Sequence, residues 1–387
     1  MTYTTLVDPC DLPKRDVNLE EHHTATISTA SAAECFRDLV HHAVELGVSD
    51  LHFTPASDQS IDVQVRLDGV LQPFFRVPAA IADQMPGRVK YLAGLRTYQT
   101  RFPQDGRISA EEAPHGGDLR VSTYPTIHGE KLVVRFFHAS QPSFFEDLRL
   151  PQNTISALRE AVNCPSGMIL ITGPAGSGKT TTIYAALAEL TGRGDRHIIT
   201  LEDPVETQVP GVTQTEVNPA VGLDFATALR YILRQDPEVI VIGEIRDEET
   251  AAIAVRSAFT GHLVIATLHA GSCQGVLERL FDMTEDNYAA AASVQLILNQ
   301  RLIRRLCPQC AGQGCADCLD SGFSGRVPLA EHVRINEQVR DHVKQDGPRA
   351  VKPDTTMQLA SATLIKQGIT TPEETARLFG DTQIDSE

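Results

Sequence analysis

No apolar run in the chain approaches the 18 or so residues of a membrane span, so no membrane-crossing helix is expected. The first twenty residues carry Asp8, Asp11, Asp16 and Glu20 around no apolar core, which argues against a signal peptide. Basic charge is short: Lys and Arg number 34 against 50 Asp and Glu, a net charge of −16. A surface of that sign does not suit wrapping duplex DNA, whose phosphates need cations. Nor does any stretch interleave aromatic with basic side chains, as binders of single strands do. Internal repeats and low-complexity tracts are missing as well. What remains is a globular chain of 387 residues, 42% apolar and 22% charged, long enough for two domains. Its expected location is the cytoplasm.

Residues 1–30 are polar and without period, and read as a flexible arm. Ser31 to Leu46 has one apolar helix face, through Cys35, Phe36, Leu39, Val40, Ala43 and Val44, and Gly47 ends it. Short strands follow: Asp50–Phe53, the alternating Ile61–Leu67, a tight turn at Asp68-Gly69, Asp118–Thr123 and Lys131–Phe137. Pro78 to Leu95 reads as one helix, and Asp105-Gly106 reads as a hairpin turn. This makes an α+β domain over 31–140, with a linker over 141–150. From 151 to 306 the pattern changes. Met168–Thr172, His197–Leu201, Val239–Ile242 and Leu263–Thr267 are short continuous apolar runs, as in a parallel sheet covered on both faces. Helices such as Phe225–Leu233 and Glu248–Ser257 lie between them, so a doubly wound α/β nucleotide-binding domain is expected. A Cys-rich element over 307–326 and a helical tail over 327–387 complete the reading.

The chemistry starts at Gly173-Pro174-Ala175-Gly176-Ser177-Gly178-Lys179-Thr180. An apolar strand precedes it and Thr181–Leu190 reads as a helix, so G-x-x-x-x-G-K-[ST] stands in the setting it needs. Glycines let main-chain N–H groups turn inward around a phosphate chain, and the helix N-terminus adds the positive end of a dipole. Lys179 is expected on the outer phosphates and Thr180 on Mg²⁺, with Thr181 the last residue of the nucleotide cradle.

Two further strands deliver acids to the same sheet edge. Asp236 to Glu244 ends in Glu244, expected on the metal side of the phosphates. His197 to Glu206 brings Glu202, expected to orient and polarise the attacking water, with Asp203 turning the loop before Pro204 and Glu206 placed to reach metal or a neighbouring subunit. His262 and His269 bracket a strand. They would sense the γ-phosphate, or serve as hydrogen-bonded structural residues. Cys307-x2-Cys310-x4-Cys315-x2-Cys318 supplies four thiolates to a tetrahedral Zn²⁺ site. An iron–sulfur cluster is the chemical rival.

These blocks resemble the ATPases of type II secretion and type IV pilus assembly. The resemblance runs from about Ser31 to Leu378 and rests on the phosphate loop, Leu201-Glu202-Asp203-Pro204-Val205-Glu206, Gly243-Glu244-Ile245-Arg246-Asp247 and Thr260 to His269. Val65-Arg66-Leu67-Asp68-Gly69 and Arg120 to Thr126 match in the first domain, and Gly322-Phe323-Ser324-Gly325-Arg326 follows the cysteines as in the family. The resemblance implies a RecA-like ATPase domain, a PAS-like first domain and a homo-hexamer fed by ATP with Mg²⁺. Nucleotide would sit between the two domains, with Arg107 and Arg120 completing the site and Arg230 and Arg234 bridging subunits. It implies a peripheral position at the inner face of the cytoplasmic membrane, a platform protein of the membrane as partner, and no nucleic acid. Pilus retraction and nucleic-acid translocation are the alternative tasks. Two features depart from the family: the four-residue spacer within the cysteine set, and the roughly thirty residues where many members carry a further docking domain.

Overall fold

A computed structural model describes residues 27–136, 144–353 and 355–380. The described residues form two compact units. The first holds the chain before residue 139 with Cys307–Phe323, and the second holds the remainder.

In the first unit, α1 (Ala32–Glu45) leads into β1 (Asp50–Pro55), β2 (Ile61–Leu67) and β3 (Val70–Val77). Then come α2 (Ala79–Ala82), α3 (Met85–Leu92), β4 (Gln104–Ile108), β5 (Leu119–Thr126) and β6 (Gly129–Phe136). The sheet order is β3-β2-β1-β6-β5-β4, with antiparallel neighbours. Alternation sorts each strand: Val63, Val65, Leu119, Val121, Leu132 and Val134 turn inward onto Phe36, Leu39 and Val40 of α1. Ser31 caps that helix through the Glu34 N–H. Three expectations change. Ile27 is buried in this core and the Ser28 N–H donates to Asp38 at 3.0 Å, so 27–30 pack rather than trail; residues 1–26 lie outside the described residues. The helix expected over Pro78–Leu95 is two, because Pro86 has no N–H to offer the carbonyl four residues back. Gly106 is not a turn residue. It pairs with Val121 inside β4, where a Cβ would meet the Ala93 carbonyl at 2.5 Å.

The second unit begins with α4 (Gln152–Val162), β7 (Gly167–Thr172), α5 (Lys179–Thr191), β8 (Ile198–Glu202), β9 (Thr213–Glu216) and α6 (Phe225–Ile232). It continues with β10 (Val239–Ile242), α7 (Glu248–Phe259), β11 (Leu263–Thr267), α8 (Cys273–Asp282) and α9 (Asn287–Ser293). Last come β12 (Val294–Leu306), β13 (Phe323–Arg334), α10 (Glu337–Asp346), α11 (Met357–Lys366) and α12 (Pro372–Phe379). Its seven strands run β13-β12-β7-β11-β10-β8-β9. From β12 to β9 they pair in parallel. Continuous apolar strands are explained by cover on both faces: Met168 and Leu170 turn to α6–α9, while Ile169 and Ile171 turn to α4 and α5. Phe145 and Leu150 are buried in the latter core, so the end of the expected linker belongs to this unit. The expected helical tail opens with β13. Its Gly325, Pro328, Glu331 and His332 conceal the strand period, yet the last two are buried.

At the far end, α12 is held to β12 by charge. Glu374 has no exposed side-chain surface and accepts from Arg304 at 2.7 Å and Arg377 at 2.7 Å. Burial alone would raise its pKa, but the hydrogen bonds from Arg377 and Arg304 prevail and hold it down to about 2. A carboxyl depressed in the fold stabilises above its unfolded pKa and loses that contribution as pH falls through the folded one, here on the order of 3 kcal/mol. Glu374→Gln should therefore lower the melting temperature near neutral pH. Thermal melts of both proteins should converge as pH drops from about 5 towards 2.

A candidate phosphate-binding site at the sheet edge

Because β7, β8, β10 and β11 are parallel, their carboxyl ends open on one edge, and the loops leaving them carry Gly173, Asp203, Glu244 and His269. The phosphate loop is left-handed at Gly176 (φ 72°) and Gly178 (φ 90°), a conformation that costs glycine little. Gly178 is the N-cap of α5 and no side chain among the described residues caps it. The first amides of α5, including those of Lys179, Thr180 and Thr181, are thus presented to an anion. Pro174, Ala175, Gly176, Thr180 and Thr181 are exposed, while Ser177 is buried. Lys179 Nζ donates to the carbonyls of Gly173 at 2.8 Å and Pro174 at 3.0 Å. Burial draws its pKa below the ordinary lysine value, against the opposing pull of Glu244.

Glu244 is the hub of the facing side. One oxygen lies 2.9 Å from His269 Nε2 and the other accepts from Arg246 Nε at 2.7 Å. Arg246 also reaches Asp203 at 3.4 Å. So Arg246 links Glu244 to Asp203, His269 joins them through Glu244, and the Glu244 charge acts on Lys179. His262 bonds the Ser257 carbonyl at 3.0 Å and takes the structural role.

Glu202 ends the neighbouring strand β8. It is 8% exposed, and both oxygens are engaged: Tyr184 OH donates at 2.6 Å, Thr200 Oγ1 at 2.6 Å and Gln214 Nε2 at 3.0 Å. Tyr184 OH in turn accepts from the Thr207 N–H at 3.2 Å, and Gln214 donates to the Thr207 carbonyl at 3.0 Å. The sequence expects Glu202 to orient the attacking water; in this structure its carboxylate is taken up by these three donors. Its three donors come from positions no motif marks, and what it holds is the loop from Asp203 to Thr207.

Of the arginines, Arg107 and Arg120 stand directly opposite on β4 and β5, and Arg120 stands opposite Arg135 on β6. Like charges so placed repel. Asp118 pairs with Arg107, and Asp50 with Arg135 at 2.8 Å, which relieves the row. Arg230 pairs with Glu249, and Arg234 lies over the Tyr231 ring at 5.9 Å.

The four cysteine sulfurs all lie within 4.8 Å of one another. Cys307–Cys315 is 3.8 Å, and Cys310–Cys318 and Cys315–Cys318 are 3.7 Å. An ion bound tetrahedrally at about 2.3 Å sets sulfur edges near 3.8 Å, so the set fits one metal ion. Cys310 accepts from the Gly314 N–H, and the approach of Gly322 to the Gly312 carbonyl, where a Cβ would come within 2.6 Å, closes the short loop.

The sequence matches the Type II/IV secretion system protein family over residues 26–377. The chain belongs to that family. The type II secretion system protein HxcR of Pseudomonas aeruginosa is 40% identical over 355 residues, covering 86% of this chain and 74% of that one. The type IV pilus assembly ATPase PilB of Thermus thermophilus is 35% identical over 358 residues, covering 85% of this chain and 40% of that longer one. Among solved structures, the pilus retraction motor PilT with bound ADP aligns at a TM-score of 0.64 and 27% identity, covering 88% of this chain and 96% of that one. This secretion ATPase thus shares its α/β fold with that solved motor.

Removing one donor from a buried carboxylate costs about 1–3 kcal/mol. Tyr184→Phe should lower the melting temperature of this secretion ATPase by several degrees. It should also speed proteolysis of the 203–207 loop, which limited digestion with mass mapping would show.

Proposed function

We propose that this secretion ATPase binds ATP at Gly173–Thr180 and that Glu244, rather than Glu202, meets the reacting water and the metal. The observation that carries this reading is Lys179. A desolvated ammonium that bonds only main-chain carbonyls of the loop is set to exchange them for phosphate oxygens, a stronger charge-assisted pair. Thr180 at the start of α5 and Glu244 across from it are the residues that would hold Mg²⁺, which neutralises phosphate charge when bound. His269 and Arg246 fix the Glu244 carboxylate at both oxygens, so its orientation is set before substrate arrives. Glu202 supports from below by fixing the loop that carries Asp203.

The family and the relatives support an ATP-driven motor for assembling a type II secretion pseudopilus or a type IV pilus. The finer reading is a hexamer of subunits, each a RecA-like ATPase unit with a PAS-like first unit. Arg107 and Arg120 close over the nucleotide. The subunits act beneath a platform protein at the inner face of the cytoplasmic membrane. Absence of any helix long and apolar enough to cross a membrane, among the described residues, agrees with a peripheral position. Sulfur separations near those of a single tetrahedral ion favour Zn²⁺ over a multi-iron cluster, and the cysteine set favours assembly over retraction.

Lys179→Ala should abolish both nucleotide binding and turnover, whereas Glu244→Gln should lower kcat by about a hundredfold or more with binding retained. Phosphate release together with binding of a fluorescent nucleotide separates the two. If Glu202→Gln fell as far as Glu244→Gln while its fold and melting temperature held, the assignment between the two acids would be reversed. Metal analysis of protein purified without chelator should find about one zinc per chain, lost in Cys307→Ser. Iron with a visible charge-transfer band would contradict zinc.

A further inference from the structure

Gln300 lies on β12, beside the strand that feeds the phosphate loop, and no part of the loop's sequence pattern points to it. It is 3% exposed. Thr182 Oγ1, on the first turn of α5, donates to its Oε1 at 2.8 Å. The backbone also touches the loop. A Cβ on Gly173 would meet the Gln300 carbonyl oxygen at 2.1 Å, and a Cβ on Gly178 would meet Gln300 Nε2 at 2.8 Å. The glycines at the two ends of the loop therefore pack on one residue of a strand more than a hundred positions away in sequence. The neighbouring residue does the same for the other wall of the site. Asn299 Nδ2 donates to the Gly271 carbonyl at 3.1 Å and to Glu331 at 2.9 Å, which pins the turn just after His269.

We propose that Gln300 is a positioning residue for the phosphate loop: by holding Thr182 and both terminal glycines it presets the loop and the first turn of α5 for the triphosphate. The proposal rests on the nucleotide reading given above. Its physical basis is entropy and competition. A loop with three glycines in eight residues has much conformational freedom to lose when it closes on a ligand, and holding it in the bound shape beforehand lowers that cost. The Thr182 hydroxyl has one proton and two acceptors, Gln300 Oε1 at 2.8 Å and the Gly178 carbonyl at 3.2 Å. Without Gln300 the hydroxyl turns to the carbonyl four residues back, the usual bond of a helical threonine, which bends the turn that must meet the phosphates.

The test compares full-length wild type with Gln300→Met, which keeps the volume and removes the amide, Thr182→Val, and the double variant. Titration with N-methylanthraniloyl-ADP gives Kd, steady-state phosphate release gives kcat and KM, and thermal melts report the fold. Gln300→Met should weaken nucleotide binding about tenfold, or about 1.4 kcal/mol, and raise KM for ATP alike. Thr182→Val should weaken it several-fold, and the double variant should be no weaker than Gln300→Met alone. Wild-type affinity in Gln300→Met, with or without a lowered melting temperature, overturns the proposal, because a packing role alone moves only the melt. If Gln300→Met does not fold, Thr182→Val decides, and unchanged affinity there overturns it too. Failure of the wild type itself to bind the nucleotide would instead remove the reading beneath the proposal.

Discussion

The bond network of one ammonium group organises this molecule's chemistry. Lys179 sits in the curl of the phosphate loop with its charge satisfied by the Gly173 and Pro174 carbonyls, in a place dry enough to depress its pKa. A cation there without anionic partners on the loop is costly, and the compensation comes from two sides. One is the set of carbonyl dipoles; the other is Glu244, whose charge favours the ammonium from the facing loop. The sheet makes this possible. Only parallel strands deliver a glycine loop, an acid and a histidine to the same edge, and only cover on both faces lets those strands be as short and apolar as they are.

The two acids at the ends of neighbouring strands differ in their surroundings. Glu244 has His269 against one oxygen and the Arg246 guanidinium against the other, and retains some exposure. Glu202, one strand over, is buried and accepts from a tyrosine, a threonine and a glutamine. Two of its donors, Tyr184 and Gln214, also bond Thr207 in the loop after Asp203, and Arg246 reaches both Asp203 and Glu244. Both carboxylates have partners at both oxygens; what separates them is that Glu244 is the more exposed and its partners include a cation.

Much of this was legible in the sequence. The runs Val239–Ile242 and Leu263–Thr267 are the strands β10 and β11 with no change of boundary. The phosphate loop, Glu244 and His269 lie on one sheet edge and the four cysteines cluster, since each motif is short-range and its geometry local. What failed was long-range. Gly106 looked like a turn because the sequence cannot show the Ala93 carbonyl pressed against it. β12 hides behind Gln295, Asn299, Gln300 and three arginines: Asn299 and Gln300 bond residues at the site, Arg301 and Arg304 bond α12, Gln295 bonds the Ser166 carbonyl and Arg305 the Ser324 carbonyl. Gln300 and the donors to Glu202 come from strands and helices far apart in the chain, and no periodicity records such meetings.

The central claim is that Lys179 holds the place of a phosphate chain. The most direct measurement is a crystal structure with a non-hydrolysable ATP analogue and Mg²⁺. The account requires the β- and γ-phosphates to lie on the amides from Ala175 to Thr181, with Lys179 Nζ moved from the two carbonyls onto phosphate oxygens and Glu244 facing the metal side. A ligand seated elsewhere, or a Lys179 still bonded to Gly173 and Pro174 beside a bound triphosphate, would contradict it.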